Sequence, residues 1–200
     1  PETEQEIYTL DELKKAFSVE RISKSPAIFD IEKLTWMHGM YIRTLALEQF
    51  HQLALPHLKN AVKGDFDLVE ISKILQPRVS TLNEIDEMVD FFDVLPEYDI
   101  AMYTHKKMKT NAEIALTSLK QAREVLAALP QWSEEAIHDS LMNLIQESGI
   151  KNGQMLWPVR TAVSGKQFTP GGAIESAHIL GQAETLRRID TGIAKLSEQA

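Results

Sequence analysis

KTNAEIALTSLKQAREVLAAL, residues 109 to 129, decides the fold class. Apolar side chains recur at intervals of three and four from Ile114 to Leu129, with Lys120, Arg123 and Glu124 between them. That spacing gathers the apolar groups on one face of a helix. Pro130 stops it, because proline lacks the N–H the next turn needs. SEEAIHDSLMNLIQESG repeats the pattern between Ser133, a capping residue with Glu134 and Glu135 behind it, and Gly149, a closing residue. Towards the N-terminus the same signals return. Thr9 caps LDELKKAF with Glu12 at the capping-box position, Asp30 caps IEKLTWMHGMYIRTL, Asp67 opens DLVEISKILQPRV and Thr81 opens TLNEIDEMVDFF. Gly39 is a candidate break in the second of these. ALEQFHQLALPHLK, residues 46–59, keeps helical spacing, and Pro56 is expected to kink or end it. Residues 151–164 read as the start of a further helix, and Ser176 to Leu196 as a final helix or helix pair. No run alternates long enough to build a sheet. VLPEYD, residues 94–99, breaks the periodicity. The expectation is an all-α fold, a helical bundle or superhelix in two lobes, residues 1–98 and 99–200, joined near 94–108.

The chain has 200 residues, 44% of them hydrophobic, so it can bury a core of its own. Mean hydropathy is −0.21 and no apolar run approaches the roughly 18 residues of a membrane span. There is no cysteine, which excludes disulfides and thiolate metal sites. PETEQEIYTL is too acidic for a signal or transit peptide, so a cytoplasmic protein is expected. The net charge of −8 argues against a general nucleic-acid binder, but its distribution matters more. Residues 65–99 hold ten acids against Lys73 and Arg78, whereas residues 151–200 hold six bases against four acids. A polyanion touching only part of the surface fits that distribution, and so does none.

Candidate chemistry is sparse. Ser23-Lys24-Ser25 looks like the end of a loop that holds ATP phosphates, but no strand–helix unit accompanies it, and Ser25-Pro26 reads as a turn. His51 and His57 are six apart, on opposite faces of a helix, so metal-ligand spacing is missing. The acids of 84–99 read as a solvated face. LTWMHGMYIR, residues 34–43, reads as core, and so do Trp132 and Trp157. The bases with freedom to reach a phosphate are Lys106, Lys107, Lys109, Arg160, Lys166, Arg187 and Arg188.

Three segments taken in order carry a resemblance. SKSPAIFDIEKLTWMHGMYIR (23–43), WPVRTAVSGKQFTPGGAIE (157–175) and ILGQAETLRRI (179–189) together resemble the C-terminal half of bacterial-type glutamyl-tRNA synthetases. The resemblance implies a stem-contacting portion and first helical anticodon-binding subdomain in 1–98, and a second such subdomain in 99–200. It implies a class I catalytic domain, with its ATP and magnesium, upstream of residue 1, and no cofactor in this chain. The implied partner is tRNA(Glu), with tRNA(Gln) left open; neither DNA nor membrane is implied, and a monomer is expected. By motif, Arg160, Thr169 and Pro170 match positions the family uses against the anticodon. Gly172 departs from the family's usual leucine. The family's arginine before a Thr-Leu-x-Glu run has Ser80 in its place, and Arg78 is the nearest candidate. Lys106 and Lys107 are candidates for tRNA phosphates. Arginine suits base reading because its planar fork can both hydrogen-bond a base edge and stack on a ring. A helical protein-interaction scaffold is the alternative, separable by salt-dependent tRNA binding.

Overall fold

The computed structural model describes residues 5–22 and 28–198; the Ser23-Lys24-Ser25 loop and its Ser25-Pro26 turn lie outside them. Among the described residues the secondary structure is helical. The helices are α1 (Leu10–Ala16), α2 (Ile31–Thr44), α3 (Leu47–Ala61), α4 (Leu68–Leu75), α5 (Ile85–Asp93), α6 (Ala112–Ala127), α7 (Glu134–Ser148), α8 (Asn152–Ser164), α9 (Ala173–Leu180) and α10 (Gln182–Ser197). The one strand-like pairing is an isolated bridge between His105 and Thr110.

Caps begin several of these helices where the sequence places them; Thr81 instead precedes a short 3-10 turn, Leu82–Glu84, without a side-chain cap, and α5 starts at Ile85. Thr9 Oγ1 accepts the Glu12 N–H, and the Glu12 carboxylate accepts the Thr9 N–H at 2.8 Å. Asp30 accepts from Lys33 N–H at 2.9 Å, and Asp67 accepts from Val69 and Glu70. Each contact pairs a first-turn donor that has no intrahelical acceptor. Gly39 does not break α2, and Pro56 does not end α3, which continues to Ala61. Pro56 lies on the exposed side of α3, while Phe50, Ala54 and Leu58 bury the other side against α4 and α5. Water can take up the carbonyl that the missing N–H leaves free, and packing keeps the helix whole.

α6 is central to the C-terminal half. Its fully buried Ala115, Leu119, Ala122 and Leu126 form one stripe, and α7, α8 and α10 pack around the helix. Gly192 lets α10 approach closely: a Cβ there would sit 2.4 Å from the Tyr103 hydroxyl. Burying one such leucine contributes about 2–3 kcal/mol.

The two halves meet around Arg188, the largest fully buried side chain. Its Nη1 donates to the carbonyls of Phe91 and Val163, both at 2.7 Å, and Nη2 to that of Phe92 at 3.2 Å. These carbonyls end α5 and α8, where intrahelical donors run out. One guanidinium therefore caps two helices at their negative ends. Nε donates to Glu184 at 2.6 Å, so the buried charge is paired. Hydrogen bonds from Arg187 and then Arg188 hold the Glu184 carboxyl down to a pKa of about 2.

The N-terminal segment differs. α1 buries nothing, and α2 buries only Gly39 and Ile42. The reading of residues 34–43 as core is corrected: Leu34 is 40% exposed, Trp36 45% and Tyr41 39%. Helical spacing puts Leu34 and Tyr41 on one side of α2 and Trp36 on the other, and the described residues leave both sides partly open. α2 is tied instead by polar contacts: Tyr41 Oη donates to the Tyr8 carbonyl at 2.6 Å, and Lys33 pairs with Glu6.

Candidate nucleic-acid interface

Residues 105–110 form a tight hairpin between the Ile100–Tyr103 turn and α6. His105 and Thr110 exchange backbone hydrogen bonds at 3.2 and 3.3 Å, and Lys109 closes the turn at φ 57°. This geometry leaves Lys106, Lys107 and Lys109 exposed at the tip, and none of the three ammonium groups has a partner among the described residues. Below them the His105 ring lies 4.0 Å from the Trp157 ring. His105 Nδ1 accepts the Met108 N–H, so a neutral ring carries its proton on Nε2.

Trp157 is half-buried on α8, and its Nε1 donates to the Met102 carbonyl at 2.9 Å. One helical turn on, the Arg160 guanidinium stacks 4.2 Å from the Trp157 ring centroid, and Nη2 donates to the Gln167 carbonyl at 2.8 Å. Among the described residues no carboxylate pairs with Arg160. Its Nε is buried without a hydrogen-bond partner, and burial lowers the guanidinium pKa from its ordinary value. A desolvated cation with an unused donor is costly unless an electron-rich group completes it. α8 ends at Gly165, whose φ of 60° turns the chain into the 165–172 loop. There Thr169 Oγ1 donates to the Gly171 carbonyl at 2.6 Å and Pro170 is buried.

His105, Trp157, Arg160 and Gln167 thus form one linked column, beside the Lys106–Lys107 hairpin and continuous with Thr169 and Pro170. Arg78 shares no hydrogen bond with it. It is exposed on the connection between α4 and α5, where the Glu84 carboxylate accepts from Ser80 N–H and Thr81 Oγ1. The link between the regions is Gly171, which lies against Ile74 of α4.

Three of the bases read as free to reach a phosphate are already engaged. Arg188 is buried, Arg187 pairs with Glu184, and Lys166 pairs with Asp90 while donating to the Glu87 carbonyl. The acids of 84–99 are exposed or half-buried, as a solvated face should be, yet several of them are paired. Asp86 bonds His57 and Asn60, Asp93 accepts the N–H groups of Lys63 and Gly64, and Glu97 pairs with Lys195. The sequence reading missed His105 as a ring partner and Arg43, which donates to the Pro77 carbonyl beside Arg78. Only contacts between distant segments reveal either. The reading of Trp132 and Trp157 as packing residues holds, since both are half-buried with their N–H groups bonded.

Residues 49–193 match the family described as the anticodon binding domain. The chain is 55% identical, over 100% of its length, to the glutamate–tRNA ligase of Clostridium tetani, of which it covers 41%. It is 54% identical over 98% of its length to that of Clostridium botulinum strain Loch Maree, of which it covers 40%. The chain therefore spans about two fifths of these curated relatives. A crystal structure of a glutamate tRNA ligase from Elizabethkingia meningosepticum superimposes with a TM-score of 0.77 at 24% identity, covering 94% of this chain and 37% of that one. A glutamate-tRNA synthetase from Elizabethkingia anophelis gives 0.75 at 22% identity, with 94% and 36% covered. At that identity the two structures speak to fold, and the fold is the all-α one expected.

Proposed function

Because the chain belongs to the anticodon-binding domain family, we propose that it reads the anticodon arm of tRNA(Glu) within a glutamate–tRNA ligase. The observation that carries this reading is Arg160, stacked on Trp157 with a buried, unpaired Nε. A splayed-out base offers what that group lacks: acceptors on its edge and a π face. Thr169 adds a half-exposed edge to the same surface, buried Pro170 fixes the loop behind it, and Arg78 adds a contact from the α4–α5 connection. Lys106 and Lys107 take phosphates. Residues 1–98 and 99–200 act as two recognition units, which Arg188 joins.

The rest of such a ligase supplies the chemistry, with ATP and magnesium, and covers the exposed apolar groups of α1 and α2. We place the enzyme in the cytoplasm as a monomer, with tRNA(Gln) as a second candidate substrate.

The test is binding of tRNA(Glu) and of anticodon-swapped tRNA to wild type and Arg160→Ala, beside their melting temperatures. The variant should lose about 1–3 kcal/mol on tRNA(Glu) and much less on swapped tRNA, whose contact is already gone. A destabilised variant with unaltered discrimination overturns the reading. Lys106→Ala and Lys107→Ala should weaken all tRNAs alike. Absence of salt-dependent tRNA binding would favour the scaffold alternative.

A further inference from the structure

An open cleft of about 580 Å³ separates α5 from the turn that follows α8. Glu87, Met88 and Asp90 line it from α5, Gly165 to Phe168 line it from the turn, and Met102 lines it as well. This volume lies in the range typical of small-ligand sites. Both walls are fixed. Arg188 ties the end of α5 to the end of α8, and Lys166 crosses to Asp90 and to the Glu87 carbonyl. The cleft connects with the Trp157–Arg160 column through Met102, whose carbonyl accepts the Trp157 N–H.

Three groups in the cleft are unused. Phe168 is 80% exposed, a large apolar ring held in water at the rim. The Glu87 carboxylate has no partner among the described residues, unlike Asp90, which Lys166 neutralises. The backbone N–H groups of Gln167 and Phe168 make no hydrogen bond, although the Gln167 carbonyl is held by Arg160. The set is therefore an aromatic face, one acceptor carrying negative charge, and two neutral donors opposite it. A phosphate is repelled by Glu87 and Asp90 and finds Lys166 already occupied.

From this we propose that the cleft is a subsite for one unstacked cytosine of the bound RNA, a proposal that rests on the tRNA-binding reading above. Phe168 stacks on the ring, as aromatic side chains do with splayed bases. Glu87 accepts from the exocyclic N4 amino group, the pairing expected of a carboxylate with cytosine. The free N–H groups of the 167–168 turn face the N3 and O2 acceptors of the same edge. Uracil fits badly because its O4 is an acceptor and meets the Glu87 carboxylate with like polarity. Glu87 and Phe168 thereby determine specificity without either matching a position nominated from the sequence.

The test uses the 200-residue chain and RNA hairpins that differ only by cytosine, uracil or adenine at one loop position, each position in turn. Wild type should favour cytosine by about tenfold at one position. Glu87→Gln, which offers a donor as well as an acceptor, should abolish that preference while retaining binding to the uracil hairpin. Phe168→Ala should weaken both hairpins by about tenfold. Both residues are exposed, so melting temperatures should stay close to wild type. Salt-dependent binding with a cytosine preference unchanged in Glu87→Gln overturns the subsite and leaves the tRNA reading intact. Preference for an adenine at that position overturns the assignment to cytosine. No binding of any hairpin, nor of whole tRNA(Glu), overturns both readings.

Discussion

α2 and α6 are both amphipathic and of similar length, at 14 and 16 residues, yet they end in opposite situations. α6 buries Ala115, Leu119, Ala122 and Leu126 among three neighbouring helices. α2 carries heavier apolar groups, including Trp36 and Tyr41, and leaves them substantially in water. The difference lies in what packs against the helix. Periodicity states that a face exists, whereas coverage depends on elements far away in sequence or beyond this chain.

The strongest way to break this comparison is at Arg188. Arg188→Met should destabilise the chain by about 3–5 kcal/mol, since it leaves Glu184 with Arg187 alone and three helix-end carbonyls without a donor. Urea titration followed by far-ultraviolet circular dichroism measures it. A loss below about 1 kcal/mol would mean the halves do not depend on that clamp. Next comes Leu119→Ala in the α6 stripe, expected to cost about 2–4 kcal/mol through lost burial and a residual cavity.

A smaller effect follows from Glu184. Its folded pKa of about 2 lies below the unfolded value of 4.5, so the charged form is favoured by folding. Its contribution is complete above about pH 4.5 and disappears as pH falls towards 2. The group is partly exposed, which limits the effect to on the order of 1 kcal/mol. Melting temperature should fall across that window, and Glu184→Gln should flatten the fall. The smallest change should come from α2 itself. Trp36→Ser should shift the stability of this chain by no more than about 0.5 kcal/mol. A loss comparable to that of Leu119→Ala would show that α2 is packed in solution and would erase the contrast.

Local chemistry made most of the fold legible. Thr9, Asp30, Asp67 and Ser133 begin helices because their side chains accept first-turn N–H groups, and Gly149 closes α7 at φ 65°. Pro56 does not end α3, since its exposed side lets water take up the freed carbonyl while the opposite side is held by packing. The site was half legible. Arg160 stood out by motif, but its stacking on Trp157 and the His105 ring beside it arise from the fold. Arg187 and Arg188 look equivalent in sequence. One is exposed and the other is the most deeply buried cation, because helix rotation turns adjacent residues to different sides.

The placement of the three tryptophans has an optical consequence. Trp36 is exposed, Trp132 is fixed through the Ala177 carbonyl, and Trp157 stands in contact with an imidazole and a guanidinium. Close contact with such groups, above all a protonated imidazole, draws excited-state energy from an indole. With Trp36 and Trp132 replaced by phenylalanine, Trp157 becomes a single emitter reporting on its own neighbours. A ligand that pulls Arg160 towards itself brightens or shifts that emission. The His105–Trp157–Arg160 column is thus its own gauge of occupancy, readable without a label.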